Sequence, residues 1–428
     1  MNVPVQAGPA VQLPASGLSL RANFAWSLAG NVSYAAAQWL TVVALARIGD
    51  AQMVGAYSLA LAISSPVFLL VNLHLRTMQA TDTGRHYRLE SYLGLRLITL
   101  TLALATMAAV AFLAPFAQLT RLVLIPVALT RAAESVSDIL YGHHQRSEKM
   151  DLTGKSMFVR SAGSLAVLGL FLYAGSGLLG AALASFAVSC GVTVYDLLRF
   201  RMEHGAFPAP DFRTGALRPL VTTSLSLAVI MAVASFNANA PRLFLAKWQS
   251  ESEVGVFSAL ALLVVSANVL VLALGQAAAP AMSRAYAAGD FRAFCRSAGP
   301  LVGLAALLGL MGAVGAVWAG PPAVEAVYGP SYSLHCDLIA WLFWGGAIGY
   351  LNSACGYVLS SARWFQQQIG PLVAVGMVTA LLCALLIPRL GTKGAAMAQL
   401  AGAATQLLLS AALVAHCVKK HFPEVRLA

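Results

Sequence analysis

The chain has 428 residues, of which 59% are hydrophobic and 10% charged, with a formal charge of +11 and a mean hydropathy of +0.75. Soluble globular chains carry about 25% charged residues, so a soluble enzyme, a disordered chain and a disulfide scaffold are all excluded. A membrane-crossing helix needs about 20 apolar residues, and spans of that kind leave only short loops and no room for a sizeable soluble domain.

Met1–Leu20 reads as a loose polar tail, without the basic start, short apolar run and small-residue cleavage site of a secretory signal. Apolar windows then predict twelve helices, near 23–46, 53–78, 92–114, 119–141, 156–175, 178–200, 219–247, 253–282, 294–319, 335–361, 367–387 and 394–418. The first carries Ser27, Asn31, Tyr34, Gln38 and Thr41 at alternating steps of four and three, which is one helical face. Isolated Ser or Thr in membrane helices bond neighbouring helices. A five-member stripe containing Asn and Gln exceeds that need and reads as a cavity lining. The second continues it with Ser58, Ser65, Asn72, Arg76 and Gln79. Arg76 lies toward the helix end, where it either lines the cavity or reaches the interface with its long stem.

The fourth helix places Arg131 near its midpoint, followed by Glu134 and Asp138. Steps of three and four share a face, and Asp138 lies about 10 Å from Arg131 along the axis. All three fall within the hydrocarbon core, about 30 Å thick, where charges face protein or a wet cavity and not lipid. Two readings stand: an ion-pair network that fixes packing, or an anion-binding Arg131 beside carboxylates that exchange H⁺ or Na⁺. The longest connection, 201–218, contains Pro208, Pro210, Asp211, Arg213 and Arg218. The seventh helix holds Asn237, Asn239 and Pro241-Arg242, where proline is expected to disturb the backbone. Trp341, Trp344, Tyr350, Asn352 and Tyr357 on the tenth suit either sugar faces or interfacial packing. Gln399 and Gln406 on the twelfth are further lining candidates.

With the N-terminus in the cytoplasm, twenty Lys or Arg fall at the tails, even-numbered loops and adjoining helix ends, against six on the other side. This asymmetry orients both termini inward and accounts for the basic charge without nucleic acid. The two halves repeat at an offset of 200: Leu45-Ala46-Arg47 with Val54-Gly55-Ala56-Tyr57-Ser58 matches Leu245-Ala246-Lys247 with Val254-Gly255-Val256-Phe257-Ser258, and Arg96 matches Arg296. An even number of helices per half makes the repeat parallel, as in transporters whose halves rock about a shared cavity. The fold expected is all-α: a 1–20 tail, a six-helix lobe over 21–200, a linker over 201–218, a six-helix lobe over 219–420, and a 421–428 tail. Six scattered Cys form no CxxC, and GxxxxGK[ST], HExxH and GxSxG are absent. No cofactor, metal site or enzymatic activity is expected.

Several strings carry a likeness: Leu75-Arg76-Thr77-Met78-Gln79-Ala80-Thr81-Asp82; Glu134 through Gly142 with Gln145 and Met150-Asp151; Asn239-Ala240-Pro241-Arg242-Leu243-Phe244; and Gly275-Gln276 with Pro280, Arg284 and Tyr286. Over residues 21–420 the chain resembles the bacterial polysaccharide-unit flippases, the Wzx-like transporters of O-antigen and exopolysaccharide, in the multidrug/oligosaccharidyl-lipid/polysaccharide (MOP) superfamily. The resemblance implies two six-helix lobes about a V-shaped cavity. It also implies movement of an undecaprenyl-diphosphate-linked oligosaccharide across the bacterial inner membrane by alternating access, driven by an ion gradient. Glycosyltransferases and a polysaccharide polymerase are the implied partners. On that reading Arg131, Arg76, Arg242, Asn31, Tyr34, Gln38, Asn72, Asn237 and Asn239 line the substrate cavity, and Glu134 and Asp138 couple H⁺ or Na⁺. A multidrug and toxin extrusion (MATE) antiporter would favour carboxylates over these arginines. A major facilitator transporter is suggested weakly by Asp82-Thr83-Gly84-Arg85, which lacks that family's full loop signature. A non-transporting membrane scaffold would not require charges in mid-membrane.

Overall fold

The apolar windows become helices because lipid offers no hydrogen-bond partner, and a helix satisfies its backbone groups within one segment. The computed structural model describes residues 18–82 and 87–422. Expectations for most of the 1–20 and 421–428 tails, and for Thr83-Gly84-Arg85, lie outside the described residues. The first half comprises α1 (Leu20–Ile48), α2 (Ala51–Val71), α3 (Leu75–Thr81), α4 (Leu89–Leu113), α5 (Gln118–Arg146), α6 (Met150–Tyr173) and α7 (Gly177–His204). The second comprises α8 (Thr214–Trp248), α9 (Glu251–Ala287), α10 (Phe291–Tyr328), the short α11 (Pro330–Ser333), α12 (Cys336–Ser361) and α13 (Ile369–His421). No strand occurs among the described residues.

Side-chain caps fix several helix starts. Asp50 accepts from the Met53 amide at 2.7 Å, and Asp290 from the Ala293 amide at 2.9 Å. Each cap contributes about 1 kcal/mol. Ten segments among the described residues are long and apolar enough to cross a membrane. To these is added α5, which is as long as α1 but too charged to count by hydropathy. Leu170, Leu310, Met311 and Leu408 are each more than half exposed, an arrangement suited to lipid and not to water.

Two expectations need correction, the continuity of the second helix and the effect of Pro241. The second predicted helix is not continuous: α2 ends at Val71, and Leu73 and His74 adopt left-handed φ values of 50° and 49° before α3 begins. Such conformations cost about 1–3 kcal/mol each for non-glycine residues. Between the halves, α7 runs to His204 and α8 starts at Thr214, so the non-helical connection falls inside the 201–218 region. Pro241 does not interrupt α8, whose axis is held by packing against α2 and α13. The last two predicted helices are the two arms of α13, folded at Gly391 with φ 56°, a conformation that glycine adopts without a Cβ penalty.

Packing runs α1 on α6, α6 on α7, α7 on α5, and α5 on α2, α3 and α4; in the second half α8 lies on α13, α13 on α12, and α12 on α9 and α10. Between the two sets, α2 runs along α8 and α9. Where α2 crosses α9, a Cβ on Gly55 would sit 1.8 Å from the Glu251 carbonyl oxygen, and one on Gly255 would sit 1.9 Å from the Ala51 oxygen. The contact is reciprocal at the repeat offset of 200, and small residues permit such backbone approach in membranes. At the same end, Arg47 donates to the Val327 carbonyl at 2.9 Å, the Glu325 carbonyl at 3.0 Å and the Ala326 carbonyl, closing the C-terminus of α10. At the opposite end, Leu217 and Leu220 of α8 join a core with Leu75, Tyr92, Leu140 and Phe200.

Candidate functional site

The charges of α5 sit among α1, α2, α3, α4 and α6, and not on a lipid face. Arg131 Nη1 donates to the Tyr34 hydroxyl at 2.6 Å and lies 3.2 Å from Glu134 Oε2. The Tyr34 hydroxyl donates to the same carboxylate oxygen at 3.4 Å. This triangle ties α1 to α5. A charge-assisted hydrogen bond is shorter and stronger than a neutral one, and it is most needed where water is scarce.

One helical turn further on, Asp138 does not pair with Arg131. It takes Arg76 Nη1 at 3.4 Å on one oxygen and Arg96 Nη2 at 3.3 Å on the other. Arg96 is fully buried and also donates to Asn72 Oδ1. The Arg76 guanidinium stands 5.5 Å from the centre of the Tyr141 ring. The left-handed turn at Leu73–His74 separates Asn72 from Arg76, so that Arg76 meets the Asp138 carboxylate directly while Asn72 accepts from Arg96, the carboxylate's other partner. Arg76 therefore lines the interior and does not reach out to the interface.

A third cluster escapes a reading by spans. Arg160 of α6 lies 3.7 Å from Asp196 of α7, both buried. Ser156 donates to Asp196 at 2.9 Å, and Arg160 Nη2 donates to Ser137 at 2.6 Å and to Thr193 at 3.2 Å. Its Nε and Nη1 make no hydrogen bond to the described residues.

Two cavities meet at these groups. The larger, about 470 Å³, is lined by Asn31, Tyr34, Asn72, His74, Arg76, Arg131, Glu134, Asp138, Tyr141 and Arg160, among others. The smaller, about 80 Å³, shares Tyr34, Arg131, Glu134 and Arg160 and continues past Gln38, Thr41 and Tyr57. In the larger lining, three guanidiniums face two carboxylates. With donors of Arg160 unused, the arrangement can accept an anion with several oxygen atoms.

The second half holds a different cavity, about 310 Å³, lined by Asn237, Asn268, Tyr350, Asn352, Thr379, Gln399 and Gln406 with small and apolar residues. Arg242 and Asn239 line none of these three cavities. Arg242 donates to Asn239 Oδ1 at 3.1 Å and to Ser258 of α9 at 3.0 Å, so it ties α8 to α9. The structure thus gathers Asn31, Tyr34, Asn72, Arg76, Arg131, Glu134 and Asp138 about one space with Gln38 beside it, and sets Asn237, Asn239 and Arg242 apart. Sequence reading missed Arg96, Arg160 and Asp196. Arg160 and Asp196 lie about one turn inside the ends of the 156–175 and 178–200 windows, and opposite charges at like depth on consecutive helices were the available signal.

The chain matches the family described as polysaccharide biosynthesis protein over residues 20–286. It is 22% identical over 325 residues to the capsular polysaccharide biosynthesis protein CapF of Staphylococcus aureus, covering 76% of this chain and 81% of that one. Among solved structures, the lipid II flippase MurJ in an inward closed conformation superposes with a TM-score of 0.73 at 12% identity, covering 90% of this chain and 86% of that one. The MATE multidrug transporter DinF-BH gives 0.65 at 15% identity, covering 95% and 98%. These structural likenesses establish an all-helical fold shared with the two solved proteins, and the family match spans more than half of the sequence. On that ground the chain is a member of the polysaccharide biosynthesis protein family.

Proposed function

We propose that this protein is a flippase that carries an undecaprenyl-diphosphate-linked oligosaccharide from the cytoplasmic to the periplasmic leaflet of a bacterial inner membrane. Twelve passes, counting α5 and both arms of α13, form lobes over 21–200 and 219–420 that alternate access, with both termini cytoplasmic. In that orientation the Gly55–Gly255 crossing and the Arg47 clamp close the periplasmic side. The observation that carries the reading is the 470 Å³ cavity with Arg76, Arg131 and Arg160 in its wall. A diphosphate presents the oxygen atoms that guanidinium forks hold best, and its lipid tail stays in the bilayer while the sugars occupy polar space. The same arginines disfavour a cationic cargo.

Glu134 and Asp138 are the proposed coupling carboxylates, exchanging their arginine partners for H⁺ or Na⁺ as the anionic cargo enters. Glycosyltransferases supply the cargo and a polymerase consumes it. The test is glycan display in a strain lacking its own flippase. Arg131→Ala is expected to abolish display at normal protein level, and unimpaired display would refute the anion-binding role. In vesicles, Glu134→Gln is expected to blunt the response to a pH or Na⁺ gradient, and an unaltered response would leave that carboxylate structural.

A further inference from the structure

The cavity of the second half has an unusual chemistry. Among its described lining residues Tyr350 alone is ionisable, and the polar groups are otherwise amides and hydroxyls. Asn237 Nδ2 donates to the Leu372 carbonyl at 2.8 Å, and Asn352 Nδ2 donates to the Ala403 carbonyl at 3.0 Å. Only the nitrogen end of an amide can donate to a carbonyl, so both side chains are held with the oxygen end free. The Oδ1 atoms of Asn237, Asn352 and Asn268 are buried and have no partner among the described residues. Three buried acceptors lacking donors thus belong to side chains that flank one space of about 310 Å³, and a ligand that brings donors would satisfy them as the amides turn toward it.

A monovalent cation would meet only neutral oxygens here, and a charge within the bilayer needs a countercharge as well as ligands. A phosphate would meet acceptors and be repelled. Uncharged hydroxyl groups fit, because each both donates and accepts. Gln399 and Gln406, one heptad apart on the second arm of α13, add two further amides to the same wall. The volume lies at the small end of the range for ligand pockets, about 300–1,000 Å³, a size for one or two sugar rings and not a whole repeat unit.

We infer that the cavity among α8, α9, α12 and α13 is a subsite for uncharged sugar residues, read by the side-chain oxygens of Asn237, Asn268 and Asn352. The inference rests on the flippase reading and adds a division of labour: the arginine-lined cavity takes the diphosphate, and the amide-lined cavity takes the sugars. A site built on buried acceptors rejects a group that cannot donate, so this subsite contributes selectivity among glycans.

The test uses the full chain purified in detergent and follows its thermal unfolding midpoint and equilibrium binding. One arm is a panel of neutral mono- and disaccharides, hexoses and N-acetylhexosamines included. A second arm is NaCl against KCl, and a third is geranyl diphosphate. Neutral sugars are expected to raise the midpoint in the wild type and in Arg131→Gln alike. Asn268→Leu is expected to weaken the sugar effect about tenfold, the worth of one lost hydrogen-bond acceptor. Asn268→Gln, which keeps an amide but displaces its oxygen, serves if the leucine variant does not fold. No sugar effect in the wild type, a sugar effect indifferent to both variants, or a Na⁺ effect in its place would each overturn the subsite. Geranyl diphosphate binding that is lost in Arg131→Gln keeps the flippase reading whatever the sugar arm gives; its absence in the wild type removes that reading instead.

Discussion

Replacing Gly55 or Gly255 with alanine tests whether the α2–α9 crossing is a gate. The new methyl carbon would lie 1.8 Å from the Glu251 oxygen in the first case and 1.9 Å from the Ala51 oxygen in the second, whereas ordinary contact begins near 3.4 Å. The obstructing atoms are backbone, so no side chain can rotate away. The helices must separate by about 1.6 Å at that point, and overpacking of this kind costs about 1–3 kcal/mol. If the contact belongs to one conformation only, that cost shifts the equilibrium about 5- to 150-fold toward conformations in which the crossing is open. Gln52 Nε2, which donates to Glu251 at 3.2 Å, and Thr120, which donates to the same carboxylate, lie beside the crossing and would be strained with it. The assay is electron–electron resonance between spin labels at Gln118 and Ala323, exposed positions at this end on opposite sets of helices. The long-distance population is expected to grow in either variant. The double variant should show less than the sum of the singles, because both act on one contact. Gly169→Ala, which meets nothing within 4 Å, should leave the distribution alone. Unshifted distances in both crossing variants, with lowered thermal stability, would mean that the crossing persists in every state and is a hinge, not a gate.

Removing the Arg47 guanidinium should loosen the same end by about 1 kcal/mol, since its three carbonyl acceptors are solvent-accessible; Arg47→Lys should not restore it, lacking the planar fork, and the same label pair reads both. Asp196→Ala strands the buried Arg160 charge and is expected to cost about 3–5 kcal/mol, seen as a lowered unfolding midpoint. Arg160→Met with Asp196→Leu should recover much of that loss, whereas equal midpoints for single and double variants would refute the pairing. Outside the membrane segments, hydrogen bonds from Arg213 hold the Asp211 carboxyl at about 2, below the ordinary carboxylate range. A lowered native value stabilises above the unfolded pKa, about 3.9, and is lost as pH falls through the native one. The linker, which is tied to α4 by the Asp211 amide on the Glu90 carbonyl at 2.8 Å, should therefore keep constant hydrogen-exchange protection from neutral pH down to about 4 and lose it only below.

What the sequence made legible divides along a physical line. A helix projects its own periodicity, so the stripe from Asn31 to Gln38 and the shared face of Arg131, Glu134 and Asp138 were readable from spacing alone, and these residues do gather about one space. Spacing does not say which partner lies nearest across helices. Asp138 was grouped with Arg131 because they share a helix, yet its carboxylate is met by Arg76 and Arg96, which arrive from α3 and α4. The break that delivers Arg76 carries no glycine or proline; Leu73 and His74 take the left-handed conformation themselves, and the nearest proline, Pro66, lies within α2. Arg160 does not stand out in the sequence because its carboxylate, Asp196, lies on the next helix, and no local pattern links the two.

The repeat gave more than span count. Its matching glycines meet each other, which follows if two like halves associate about a pseudo-two-fold axis, since a residue near that axis touches its own counterpart. Resemblance at the axis does not extend to the cavities. Arg96 is buried against a carboxylate, whereas Arg296 at the same offset is exposed. The first half lines its space with charge and the second with amides. A duplicated scaffold with unlike walls presents two chemistries to a single cargo, and a lipid-linked glycan, anionic at one end and neutral at the other, is a molecule with that same asymmetry.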